Sequence, residues 1–150
     1  MKTVRFISRA EAVRLAAKRD AAVISIHDKS ESPATLKSGW ADVLVLRFHD
    51  TDGQLMGLEV FSAEQAQSVK SFVERVGPRI DELIVHCALG QSRSAGLAMF
   101  LAKHYGVPCF KGQLPVSESY RIYNKKVFSM MDEAYYGPIG SAFENLPPEV

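Results

Sequence analysis

The chain has 150 residues, of which 47% are hydrophobic and 23% charged, enough for one compact domain with a substantial core. Eighteen Lys and Arg against seventeen Asp and Glu leave a formal charge of +1, so no global field draws the chain onto nucleic acid or an anionic membrane, and any anion must be held locally. The longest apolar stretch, residues 96–102, is far short of the roughly 18 residues that a bilayer span needs.

Taken in order, the amino-terminal residues mix basic, polar and apolar side chains and lack the continuous apolar centre of a secretion signal. Short apolar runs at 3–7, 22–26, 42–48 and 82–87, rich in Val and Ile and bounded by turn residues, predict buried strands. Ser8 with Glu11 and Ser62 with Gln65 fit the capping box and predict helix starts between those strands. A third helix is expected from Arg93 to a stop at Gly106, a residue suited to the left-handed C-terminal position, and a fourth over 120–135. Residues 137–150, with Pro138, Gly140, Pro147 and Pro148, read as an irregular tail of a single domain spanning 1–150. The alternation predicts an α/β fold with a central, mostly parallel sheet flanked by helices, in which ligands collect at the carboxyl ends of the strands. Cys87 falls at such an end. With only Cys109 as a companion it cannot belong to a disulfide framework or a multi-cysteine zinc site, which points to a reducing, cytoplasmic setting.

Residues 86–94, His-Cys-Ala-Leu-Gly-Gln-Ser-Arg-Ser, join the last strand to the third helix. A tight loop over a helix start turns its backbone N–H groups into one concavity, to which the helix dipole adds positive potential. Ala88, Leu89, Gly90, Gln91 and Ser92 would form this anion cradle. Gly90 permits a close backbone approach, and Arg93 offers a planar fork of donors to two oxygens of a tetrahedral anion. The field that binds phosphate also favours the nucleophilic thiolate over the thiol. Ionisation alone gains only about thirtyfold, partly offset by lower nucleophilicity, so the larger effect must come from donors arranged for a phosphoryl group in transit. The loop therefore reads as a device for phosphoryl transfer to Cys87, with Ser94 placed to donate a hydrogen bond to the sulfur as it leaves. His86 is expected to orient the loop from the strand end.

The pattern His-Cys-x-x-Gly-x-Ser-Arg-Ser resembles the signature of the cysteine-dependent protein tyrosine phosphatases, particularly their dual-specificity branch, and every fixed position is present. The resemblance is strongest over residues 43–106; Tyr123 to Val127 also looks like a segment of small bacterial and phage members. It implies a dual-specificity-phosphatase-like fold, a cysteinyl-phosphate intermediate on Cys87, phosphate binding by Arg93, and no metal or other cofactor. It also implies an acid on an aspartate loop upstream, which maps to Asp50, with Asp52 as the alternative. Such an acid protonates the leaving oxygen and then takes a proton from the attacking water. The loop's variable positions are neutral, where members acting on multiply phosphorylated inositols carry lysines, and this favours a phosphorylated protein or peptide as the partner of a monomeric enzyme.

Plainer readings stand beside these. A lone cysteine at a strand end is usually a core residue, and aspartates beside Gly53 are what an ordinary turn contains. An arginine opening a helix opposes the dipole and calls for an anionic partner. His27 and His49 read as plain surface or half-buried histidines with no role, Cys109 as a packed thiol, and the aromatics at 120, 123, 128, 135 and 136 as core and rim. Three other functions use related loops: a non-catalytic phosphate-binding module, a sulfurtransferase, and an arsenate reductase, for which Cys109 alone is poor provision of further thiols.

Overall fold

A computed structural model describes residues 1–51, 53 and 56–137. The order is β1 (Thr3–Ser8), α1 (Arg9–Arg14), β2 (Ala21–His27), β3 (Val43–Arg47), α2 (Ala63–Val76), a 3-10 turn (Gly77–Arg79), β4 (Glu82–Cys87), α3 (Arg93–Tyr105), β5 (Cys109–Lys111), β6 (Leu114–Pro115) and α4 (Lys125–Tyr136). The strands form one six-stranded sheet ordered β3-β2-β4-β1-β5-β6. All neighbours are parallel except β5 and β6.

This is the expected α/β architecture, and the four apolar runs are its four longest strands. Both capping boxes form, and Gly106 ends α3 in the left-handed conformation at φ 66°. α4 differs, beginning at Lys125 rather than residue 120, because the Asn124 side chain accepts the Val127 N–H and starts the helix there. β5 and β6, of three and two residues, are too short to give a periodic signal. The tail beyond 137 lies outside the described residues.

Alternation along the strands sorts side chains to two faces. Val4, Phe6, Ala22, Ile24, Ile26, Leu83, Val85 and Cys87 enter the larger core, where α2, α3 and α4 pack together and onto the sheet. Ile7, Val23 and Ile84 face the other side, with Ala12 of α1 and the half-buried Leu36 and Trp40. β4 is covered on both faces and paired on both edges, which is why Leu83 to Val85 read as an unbroken apolar run. Its carboxyl end delivers Cys87 beneath the start of α3. Among the described residues, no helix is long and apolar enough to cross a membrane.

Candidate active site

The loop after β4 is pinned from below. Gly90 has φ +67°, and a Cβ added there would stand 2.4 Å from the Ile7 carbonyl carbon and 2.5 Å from the Ser8 nitrogen. Only glycine lets the loop cross the end of β1 this closely. The Arg9 N–H donates to the Ala88 carbonyl at 3.2 Å, a second tie to the β1–α1 junction. Tyr120 closes the far side, its hydroxyl donating to the Gln91 carbonyl at 2.5 Å. Its pKa is raised, first by burial and then by the neighbouring Cys87. Leu89 projects outward, 72% exposed.

Cys87 is buried, with the Ser94 hydroxyl 3.1 Å from its Sγ and the Ser94 N–H directed at the sulfur from 3.5 Å. That amide belongs to the first turn of α3, whose N–H groups have no partner within the helix. The residue at the capping position, Ser92, does not supply one. Its hydroxyl makes no cap bond and instead donates to Asp50 Oδ1 at 2.7 Å. The helix start is thereby left open towards the sulfur, an arrangement that favours negative charge at that point.

Arg93 is buried although it opens the helix. Its Nη1 donates to the Phe48 carbonyl at 2.9 Å and lies 3.9 Å from Asp28 Oδ2, the anionic partner that its position calls for. The pKa of Asp28 is lowered, chiefly by the Ser30 hydroxyl and further by the Ser30 amide and Arg93. Asp28 follows β2 at the carboxyl end of the sheet, beside the Cys87 loop.

His86 faces the opposite side of β4. It is level with Ser25 of β2 in the parallel register, and its Nε2 lies 2.6 Å from the Ser25 hydroxyl. Burial pushes its pKa down to about 4. Its Nδ1 is 3.4 Å from the Cys87 carbonyl, so the ring braces the turn out of the strand.

Asp50 lies at the loop's rim, exposed, with Oδ1 accepting from Ser92 and from Asn124 Nδ2 at 2.9 Å. Asn124 also donates to the Thr51 carbonyl, and its backbone N–H donates to the Ser92 carbonyl at 2.9 Å. Gly96 permits this contact, since a Cβ there would meet the Asn124 carbonyl oxygen at 2.5 Å. Asp52 falls outside the described residues.

Cys109 is half-buried and unpaired, and burial pushes its thiol up to about 12. It stands opposite Val4 of β1, whereas Cys87 stands opposite Ser8 from the other side of the same strand. Four residues along the strand and two strand spacings across place the thiols' Cα atoms about 16 Å apart, far beyond disulfide reach. His27 is held by the Asp28 and Glu31 carbonyls, and His49 accepts the Glu59 N–H, so both serve the backbone. Among the described residues no cluster of three His, Cys, Asp or Glu side chains is arranged to hold a metal ion.

The structure therefore gathers Cys87, Ser94, Arg93, the loop and Asp50, and adds Asp28, Asn124, Tyr120 and Ser25. Asn124 falls inside the helix expected over 120–135, although a polar residue just before a helical run is the signal of a cap. Asp28 had only its place after a strand. Tyr120 and Ser25 act through tertiary contacts that no local pattern encodes. Compared with known proteins, the chain matches no family model, no curated protein and no solved structure.

Proposed function

We propose that the chain is a cysteine-dependent phosphatase with a dual-specificity-phosphatase-like fold, hydrolysing phosphomonoesters of tyrosine, serine or threonine in proteins. The observation that carries the reading is the placement of the Cys87 sulfur against the hydroxyl and N–H of Ser94, at the open start of α3, with Arg93 buried on the same turn. An incoming phosphoryl group would meet the Ser94 N–H at the start of α3 and a guanidinium that, with Nη1 on the Phe48 carbonyl, keeps further donors for two phosphoryl oxygens.

Two steps follow. The Cys87 sulfur attacks phosphorus, the phosphorus–oxygen ester bond breaks, and the leaving oxygen takes a proton from Asp50. Water then attacks phosphorus and gives that carboxylate its proton, while the sulfur departs with its electron pair, stabilised by the Ser94 hydrogen bond. Preorganised donors supply the main acceleration, because they match the charge of the transferring group better than that of the resting ester. The test is turnover of p-nitrophenyl phosphate by the wild type and by Cys87→Ser. The variant loses hydrolysis but still binds vanadate; equal hydrolysis by both would overturn the reading.

A non-catalytic phosphate-binding module is the second reading, favoured by the engagement of Asp50 Oδ1 as acceptor by two donors. It predicts phosphate binding by the wild type without turnover.

A further inference from the structure

β3 is an edge strand, and its backbone shows which groups it leaves for another chain. The Val23 N–H donates to the Asp42 carbonyl and the Phe48 N–H to the His27 carbonyl. In a parallel ladder the residues of a strand turn their backbone groups alternately to one side and the other, so Leu44 and Leu46 face β2, while Val43, Val45 and Arg47 face the open edge. Both ends of that edge are capped. The Asp42 carboxylate accepts the Val43 N–H at 2.8 Å, and Gln65 Nε2 of α2 donates to the Arg47 carbonyl at 2.9 Å. Between the caps, the Val43 carbonyl, the N–H and carbonyl of Val45, and the Arg47 N–H have no partner among the described residues. The side chains of Val43 and Val45 are 37% and 49% exposed.

We propose that this edge pairs with the same edge of a second copy, antiparallel about a two-fold axis through Val45, in place of the single copy expected from the sequence. In that register Val45 stands opposite its symmetry mate and Val43 opposite Arg47. The two Val45 residues exchange N–H to carbonyl bonds, and each Arg47 N–H donates to the other copy's Val43 carbonyl. Every uncapped group is then used. Sliding the pair along the ladder in either direction would call on the Val43 N–H or the Arg47 carbonyl, which are already engaged, so the caps select the register. The contact is isologous and closes at two copies. The opposite edge, β6, is two residues long and ends on Pro115, which has no N–H to donate.

Charge favours a copy of this chain over a foreign strand. α2 flanks the same edge, its amino end tied to Arg47 through Gln65 and its carboxyl end to Asp42 through Arg75 at 2.7 Å. Glu64, Ser68, Ser71 and Arg75, all exposed, follow helical spacing in one stripe. The two-fold axis sets the two α2 helices side by side and antiparallel, which brings Glu64 of each towards Arg75 of the other. Glu64 has no ion pair of its own among the described residues. Under the helices, Leu44 of each copy stands beside Leu46 of the other. Because the paired strands run in opposite directions, so do the carboxyl ends of the two sheets, and both signature loops stay open. The inference stands apart from the phosphatase reading.

The experiment is analytical sedimentation of the full chain over the micromolar to millimolar range, for the wild type, Val45→Lys and Glu64→Arg. The wild type should pass from one copy to two as concentration rises. Val45→Lys sets two ammonium groups against each other on the axis and should weaken association about tenfold or more, with an unchanged far-ultraviolet spectrum because the position is exposed. Glu64→Arg should weaken it about three- to tenfold, less as salt is raised. Register is read by oxidation in a Cys87→Ser background. Across a bonded pair the Cα atoms lie about 5.5 Å apart, within disulfide reach, so Val45→Cys forms a covalent dimer. Val43→Cys, about 14 Å from its mate, does not. A wild type that stays single throughout, association that survives Val45→Lys, or equal cross-linking at 43 and 45 would overturn the proposal, as would a single chain whose β3 takes up a foreign valine-rich peptide instead.

Discussion

The amide nitrogen of Asn124 donates to Asp50 Oδ1 at 2.9 Å while its oxygen accepts the Val127 N–H at 3.0 Å. One side chain thereby starts α4 and fixes the aspartate loop against the signature loop. The two duties separate by substitution. Asn124→Asp keeps an acceptor for Val127 but loses the donor to Asp50 and sets a carboxylate against it. Asn124→Ala loses both and also forgoes about 1 kcal/mol of capping. The expected outcome is that Asn124→Asp melts closer to wild type than Asn124→Ala does, yet both lose turnover of aryl phosphates with poor leaving groups. Activity that tracked melting temperature alone would assign Asn124 a purely structural part.

Gly90→Ala forces a side chain into the left-handed region and into the backbone at Ile7 and Ser8. Strain of that kind costs about 1–3 kcal/mol before the clash is counted. The variant should unfold at lower denaturant concentration and lose vanadate binding, because relief of the clash moves the loop amides outward. Unchanged vanadate affinity would mean that the loop is not the anion cradle.

His86 links the site to pH. It is buried and its pKa falls to about 4 from an ordinary 6.5, so below pH 6.5 the unfolded chain takes up a proton that the folded chain refuses. Its contribution is intact above pH 6.5 and is lost progressively as pH falls towards 4, a change of about 3 kcal/mol. Denaturant titrations across that window should show the loss, and His86→Gln should flatten it. A wild-type profile level from pH 6.5 to 4 would contradict the burial of a neutral imidazole.

Arg93→Lys keeps the charge and removes the fork. A lysine cannot serve the Phe48 carbonyl and two phosphoryl oxygens with the same geometry. Vanadate affinity should fall by about tenfold or more, in line with the loss of a charge-assisted bond. Equal affinity would place the guanidinium outside the anion site.

Much of this was legible in the chain. Valine and isoleucine runs between capping boxes gave the parallel sheet, and the segment from His86 to Ser94 announced a strand, a loop and a helix start whose chemistry could be read residue by residue. Other features depended on tertiary contact. Ser25 joins His86 only because β2 and β4 lie in register. Asp28 joins Arg93 only because β2 ends and α3 begins at the same carboxyl end of the sheet. The fourth helix starts later than the pattern predicts because the aromatics at 120 and 123 have helical spacing, whereas Tyr120 is spent on the Gln91 carbonyl.

The central claim is that phosphate passes through the sulfur of Cys87, and the most direct measurement is rapid acid quenching of the wild-type protein during turnover of a radiolabelled aryl phosphate, followed by mapping of the label. The account predicts label on the peptide carrying Cys87, absent from Cys87→Ser. Steady hydrolysis with no label on that peptide, or the same hydrolysis in Cys87→Ser, would contradict it.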